Sequence, residues 1–273
     1  MPQRFAILGH PVAHSKSPQI HAAFARAAGI DLTYERVEPP LDGFAATVAQ
    51  LRADGFRGAN VTLPFKVDAF RLCTQRTRRA EQAESVNTLE FTAQGIEGDT
   101  TDGIGLVRDV EGRCGRKIAG LRVLLVGAGG AARGVAGPLL DAAPARLAIA
   151  NRTLARALDI VQLYSEASQL SALTLGELPQ HQFDLVINAT SASLTDALPL
   201  VPPSVFATGA LAYDMVYGKG QTPFLQLAAA AGAQTSDGLG MLVEQAAEAF
   251  HHWHGVRPET APVFKLLRSE SPA

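Results

Sequence analysis

The sequence has little cysteine. Cys73 and Cys114 stand far apart, and neither has a second Cys or a His at ligand spacing. That excludes a cysteine-rich zinc site and a disulfide scaffold, and suits a reducing compartment. It also lacks an excess of charge of one sign. The formal net charge is −2, with no basic surplus for nucleic acid and no like-charge block that would mark a disordered tail. No apolar run approaches the ~18 residues a membrane span requires, and the first ten residues hold too short an apolar stretch for a signal peptide. Repeats at solenoid periods and low-complexity tracts are missing as well. The expectation is a cytoplasmic protein, a monomer or homodimer, with no nucleic-acid or membrane partner.

What is present is a chain of 273 residues, 47% apolar and 18% charged, long enough to bury two modest cores. Short apolar runs alternate with helical patterns, the signature of βαβ units and a mostly parallel sheet. In the first hundred residues the patterns predict strands at 5–9, 34–37, 58–62 and 86–91, and helices at 18–28, 44–53 and 64–72. A second series predicts strands at 123–127, 146–150, 184–189 and 211–217. Residues 112–120, rich in glycine and basic side chains, read as the connection between the halves. An Ala-rich apolar helix over 239–253 and another after Pro258 close the chain. The predicted organisation is two α/β domains, 1–103 (completed by helices from about 239 to 273) and 104–238, with a cleft between them.

The run Val123-Leu124-Leu125-Val126 leads into Gly127-Ala128-Gly129-Gly130-Ala131-Ala132. This reads as a buried strand, a glycine turn and a helix whose N-terminal N–H groups can approach a pyrophosphate. Ala132 replaces the last glycine of the usual pattern, a change the pattern tolerates. At the end of the next strand, an NAD enzyme would place a carboxylate on the adenine ribose. Here Asn151-Arg152-Thr153 follows instead, with Arg156 one turn later. Two guanidiniums on one helix start can chelate a 2′-phosphate, so NADP is predicted over NAD. Pro138 falls inside the expected helix, which predicts a bend or an early end there.

The first half gathers small polar groups at predicted strand ends, where open α/β sheets bind ligands. In His14-Ser15-Lys16-Ser17-Pro18, Ser17 suits a helix N-cap, while Ser15 and Ser17 are spaced to face one anion together. Asn60 and Thr62 share one face of their strand. Lys66 lies in the first turn of a helix, a poor place for a cation unless something anionic faces it. Asn87 stands at another strand. Asp102, in Thr101-Asp102-Gly103, reads either as a turn aspartate or as the counter-ion of Lys66.

Taken together, these segments resemble the shikimate dehydrogenase family over nearly the whole chain and in its order. The matching runs are His14 to Pro18, Asn60 to Lys66, Val86-Asn87-Thr88, Thr101-Asp102-Gly103, Asn151-Arg152-Thr153, Asn188-Ala189-Thr190-Ser191, Tyr213 to Tyr217 and Asp237 to Gln245. The resemblance implies an N-terminal α/β substrate domain, a Rossmann-type NADP-binding domain, and NADPH-dependent reduction of 3-dehydroshikimate to shikimate, without a metal. It implies Lys66 and Asp102 as the catalytic pair, and Ser15, Ser17, Asn60, Thr62, Asn87, Tyr217 and Gln245 around the substrate. It implies Gly127, Ala128, Gly129, Gly130, Ala131, Asn151, Arg152, Thr153, Arg156, Thr190, Met215 and Gly238 around NADP. Three departures stand out: Thr100 where the family often has Asn, Arg78 where many members are acidic, and Ala192-Ser193-Leu194 where a glycine is common. Other readings of the same residues are a quinate/shikimate dehydrogenase of broader substrate and cofactor use, a methylene-tetrahydrofolate dehydrogenase, and a non-catalytic NADP-binding sensor.

Overall fold

The computed structural model describes residues 2–190, 201–218 and 220–270. The chain forms two compact units. One runs to Asp102 and includes Val243–Lys265; the other holds Gly103–Leu242 and the residues from Leu266 onward.

In the first unit the elements are β1 (Gln3–Leu8), α1 (Ser17–Ala28), β2 (Leu32–Val37), α2 (Phe44–Ala53), β3 (Gly58–Val61), α3 (Lys66–Leu72), β4 (Gln75–Arg76), α4 (Arg78–Ala83), β5 (Thr88–Thr92) and β6 (Gly95–Asp99). The sheet order is β2-β1-β3-β5-β6-β4. β1 pairs in parallel with β2 and β3, as βαβ units require. The mostly parallel expectation fails beyond β3, because β5 runs antiparallel to both β3 and β6. The cause is local: β5 and β6 close on each other at Thr92 and Gly95, and so short a link can only return the chain antiparallel. The consequence is functional. β5 begins at the sheet edge where β3 and β6 end, so Asn60, Thr88 and Asp99 lie side by side.

Alternation along these strands sends Ala6, Leu8, Ala59, Val61 and Leu89 into a core with Val48, Leu51, Phe65 and Ala69. Phe5, on the opposite face of β1, packs with Ala249 and Trp253 of the helix Leu239–His254 (α9). Trp253 Nε1 donates to the Leu89 carbonyl at 3.1 Å, satisfying the indole as it is buried.

The second unit holds most of α5 (Asp102–Arg108), a π-helical turn Asp109–Arg113, β7 (Arg122–Val126), α6 (Gly130–Asp141), β8 (Arg146–Ala150), α7 (Leu154–Leu163), β9 (Leu170–Leu173), β10 (Phe183–Asn188), β11 (Phe206–Asp214), α8 (Pro223–Ala230), β12 (Gln234–Ser236) and the end of α10 (Ala261–Ser269). Its sheet is parallel, in the order β12-β11-β10-β7-β8-β9. This is a doubly wound arrangement whose strand order reverses between β7 and β10, the place where such sheets bind nucleotides. Val123, Leu125, Leu147, Ile149, Leu185 and Ile187 fill one core, while Leu124, Val126, Ala148, Ala150 and Val186 fill the other. Both faces are buried, which is why these strands read as unbroken apolar runs.

One expectation is corrected here, and for Pro138 the early helix end is excluded. Residues 112–120 lie wholly inside the second unit, and the chain first passes between units at Asp102–Gly103. Ile118 is the reason: it is fully buried in the core with Val123 and Leu125. Pro138 neither ends α6 nor truncates it, since the helix continues to Asp141. Pro138 leaves the Gly134 carbonyl without its usual helical donor. Gly103 packs against that turn so closely that a Cβ on it would lie 2.4 Å from the proline ring and 2.6 Å from the Gly134 oxygen.

Candidate active site

The strand ends of the first unit converge on a connected set of side chains. Lys66, the first residue of α3, donates from Nζ to Asp102 Oδ2 at 2.5 Å. Asp102 is nearly buried, and its other oxygen accepts from Asn87 Nδ2 at 2.9 Å. Asn87 is held in that orientation by the Thr101 backbone N–H, which donates to Asn87 Oδ1 at 2.9 Å. Gln245 Oε1 accepts from Asn87 and from Thr101 Oγ1, each at 3.3 Å. Asn60 Nδ2 donates to the Asn87 carbonyl and to Thr88 Oγ1, each at 3.1 Å. An amide, a carboxylate and an ammonium therefore share one hydrogen-bonded wall, and the charge on each member of the ion pair is balanced by the other.

Asp102 thus takes the counter-ion role rather than that of a free turn residue, and Asn60, Lys66, Asn87, Asp102 and Gln245 are brought together. Thr62 follows β3; its hydroxyl makes no hydrogen bond among the described residues and its methyl packs against Gly9. Ser15 Oγ donates to Ser17 Oγ at 3.1 Å, so the two serines do face the same way. The N-cap expectation for Ser17 is overturned: Ser17 is already the first residue of α1, and Lys16 is the cap, its side chain making no capping hydrogen bond. A capping serine spends its oxygen on a backbone N–H two or three residues on, whereas Ser17 keeps its hydroxyl for other partners. Tyr217 belongs to the second unit, where it follows β11 and burial raises its phenol above the ordinary range.

The departures are local. Thr100 has its hydroxyl buried without a partner among the described residues, while its backbone N–H donates to Asp99 Oδ1 at 2.7 Å. Arg78 is exposed at the start of α4. Ala192-Ser193-Leu194, and Ser191 before them, lie outside the described residues.

In the second unit the C-terminal ends of β7, β8, β10 and β11 line up. Gly127 N–H donates to the Ala150 carbonyl at 2.8 Å, Ala189 N–H to Val126 at 2.8 Å, and Met215 N–H to Asn188 at 3.0 Å. The glycine turn, Asn151, Thr190 and Met215 are therefore neighbours along one sheet edge. Gly127 needs to be glycine because its φ is +110°. Gly129 caps α6 and Gly130 begins it, and a Cβ built on either would meet nothing within 4 Å. That open backbone at a helix N-terminus, with Ala128 and Ala131 small beside it, fits a dinucleotide pyrophosphate. Asn151 Nδ2 donates to the Thr153 carbonyl at 2.9 Å, which shapes the turn into α7. Arg152 and Arg156 are exposed, and neither pairs with a carboxylate among the described residues. Two unneutralised guanidiniums beside the turn fit a 2′-phosphate. Asn188 Oδ1 accepts from the N–H and the hydroxyl of Thr190, at 3.2 and 2.7 Å, fixing Thr190 just past β10. Gly238 packs on Met215, with room for no side chain: a Cβ would sit 2.3 Å from the Met215 carbonyl oxygen.

Sequence reasoning missed three side chains in the first unit's wall. Thr88 Oγ1 donates to Asn87 Oδ1 at 2.9 Å, Thr101 Oγ1 reaches Gln245, and the Tyr34 hydroxyl donates to Asn60 Oδ1 at 2.7 Å. Thr88 and Thr101 adjoin residues that were singled out, so their neighbours were the signal. Tyr34 carried none, because its partner is 26 residues away on a strand two positions across the sheet.

Comparison with known proteins agrees over the full length. Residues 7–89 match the family model for the shikimate dehydrogenase substrate binding domain, 110–196 that for shikimate / quinate 5-dehydrogenase, and 238–268 that for the shikimate 5′-dehydrogenase C-terminal domain. The chain is 55% identical to the NADP(+) shikimate dehydrogenase of Nitrosospira multiformis, covering 98% of each chain. Identity to the Dechloromonas aromatica enzyme of the same name is 52%, covering 99% of each. The solved shikimate 5-dehydrogenase of Thermus thermophilus, in complex with NADP(H) and shikimate, superimposes with a TM-score of 0.88 at 34% identity, covering 98% of this chain and 99% of that one. With family models placed along it and relatives at 55% and 52% identity covering almost all of it, the chain belongs to the shikimate dehydrogenase family.

Proposed function

We propose that the chain is an NADP-dependent shikimate dehydrogenase that reversibly reduces 3-dehydroshikimate to shikimate. The observation that carries this is the 2.5 Å contact between Lys66 and Asp102, embedded in a wall of amides and hydroxyls suited to a polyhydroxylated ring. NADPH, when bound, supplies the hydride. The first unit supplies the groups that act on the ketone. Lys66 Nζ stabilises negative charge developing on the ketone oxygen and provides the proton that oxygen takes up. Asp102 orients Lys66 and accepts from the neighbouring ring hydroxyl. Ser15 and Ser17 donate to the substrate carboxylate, and Asn60, Thr62, Asn87, Tyr217 and Gln245 order the ring hydroxyls. In the second unit, the backbone at Gly127–Ala131 takes the pyrophosphate. Asn151, Arg152, Thr153 and Arg156 take the adenine ribose phosphate, while Thr190, Met215 and Gly238 line the nicotinamide end. The enzyme works in the cytoplasm, as a monomer or homodimer.

The test is Lys66→Ala. The expected outcome is a fall in kcat of about 10²–10⁴-fold, with NADPH binding intact by fluorescence titration. Near-normal turnover by this variant removes Lys66 from the mechanism.

A further inference from the structure

Tyr34 lies outside every motif that points to function, yet its hydroxyl joins the polar wall of the first unit. Its hydroxyl donates to Asn60 Oδ1 at 2.7 Å. The direction of that bond is fixed. Asn60 Nδ2 is committed to the Asn87 carbonyl, which can only accept, so Asn60 must present its oxygen to Tyr34. A continuous series of donors results, running from Tyr34 to Asn60, Thr88, Asn87 and Asp102, where Lys66 donates from the other side. Tyr34 is the side chain at which it starts.

The ring is held as firmly as the hydroxyl. Tyr34 stacks on His21 of α1, with centroids 4.4 Å apart and planes inclined by 7°. His21 is fully buried, its nitrogens make no hydrogen bond of regular geometry among the described residues, and burial keeps it neutral. It is therefore a flat, uncharged platform that sets the ring plane while the hydroxyl reaches Asn60.

We propose that Tyr34 is a positioning residue for substrate binding, fixing the Asn60 amide so that it meets the substrate's ring hydroxyls in one orientation. This rests on the reading above, in which Asn60 belongs to the substrate pocket. Without the hydroxyl, Asn60 Oδ1 loses its donor in a buried site.

The experiment is Tyr34→Phe, which keeps the stack on His21 and removes only the hydroxyl, read by calorimetric titration with shikimate and by steady-state kinetics. The expected result is about tenfold weaker shikimate binding and a matching rise in KM for shikimate, with kcat, KM for NADP⁺ and the unfolding midpoint changed by less than about twofold or a few degrees. Tyr34→Leu, which also removes the stack, is expected to show the same binding deficit with a lower unfolding midpoint. Wild-type affinity in either variant overturns the proposal. So does a parallel loss of shikimate binding, NADP⁺ binding and stability in Tyr34→Phe, which would make the hydroxyl a structural bond only. A wild-type protein that binds no shikimate overturns the functional reading itself, and this inference with it.

Discussion

The two units build their sites from different materials. In the first, the polar groups are buried side chains that satisfy one another: Asn60, Asn87, Thr88, Thr101, Asp102 and Gln245 form a closed set, and Lys66 completes it. In the second, the site is largely backbone, an open glycine turn at the start of α6, flanked by two exposed arginines without acidic partners among the described residues. A closed side-chain network fixes reacting groups to within a fraction of an ångström, as chemistry requires. An open backbone cradle with unneutralised cations holds an anionic ligand without taking part in its reaction. The division of labour follows from the materials.

The largest effect that tests this contrast comes from the closed side. Asp102→Asn keeps a hydrogen-bonding side chain beside Asn87 but removes the counter-ion of Lys66. It is expected to lower kcat by about 10²-fold with little change in NADP⁺ binding, measured by initial rates and cofactor titration. On the open side, the double variant Arg152→Ala with Arg156→Ala is expected to raise KM for NADP⁺ by about 10–100-fold while leaving kcat and shikimate binding near wild type. The same variant should leave turnover with NAD⁺ unchanged, since NAD⁺ lacks the phosphate. A kcat loss as large as that of Asp102→Asn would erase the distinction between the units.

A change in stability, with little change in activity, sharpens the picture of the closed side as a buried set. Burial first, and then His254, lowers His21 from 6.5 to about 3. Between those values the unfolded chain takes up a proton that the native protein refuses, so stability falls as pH drops from about 6.5 toward 3. His21→Phe should remove that dependence. Its unfolding free energy, from denaturant titration, should fall less steeply over this range, by about 1.4 kcal/mol per pH unit. An unchanged slope would mean that His21 titrates normally.

The contrast also explains what could be read from the residues alone. β7, β8 and β10 were legible because both their faces are buried, and α2 was found with the same limits as observed. The glycine turn and the arginines after β8 were legible because backbone sites need glycines and phosphate sites need cations at fixed offsets. The Lys66–Asp102 pair showed itself as a cation misplaced at a helix start. Harder to see were the short strands β4, β6, β9 and β12, which carry two to five residues each and too little alternation to register. The reversal of β5 was invisible because its direction depends on a two-residue link, not on its own pattern. Ser17 read as a cap because the residues before a helix look alike whether or not the hydroxyl turns back to the backbone. Tyr34 was missed for the reason that applies to most of a closed network: its meaning lies in partners far away in sequence.

The most direct measurement is oxidation by the wild-type protein, followed through the absorbance of the reduced cofactor, with shikimate or quinate and with NADP⁺ or NAD⁺. The account predicts fast turnover with shikimate and NADP⁺, and slow turnover in every other combination. Comparable efficiency with quinate or NAD⁺ would contradict the assignment of the serine pair or the arginines, and no turnover with shikimate would contradict the account as a whole.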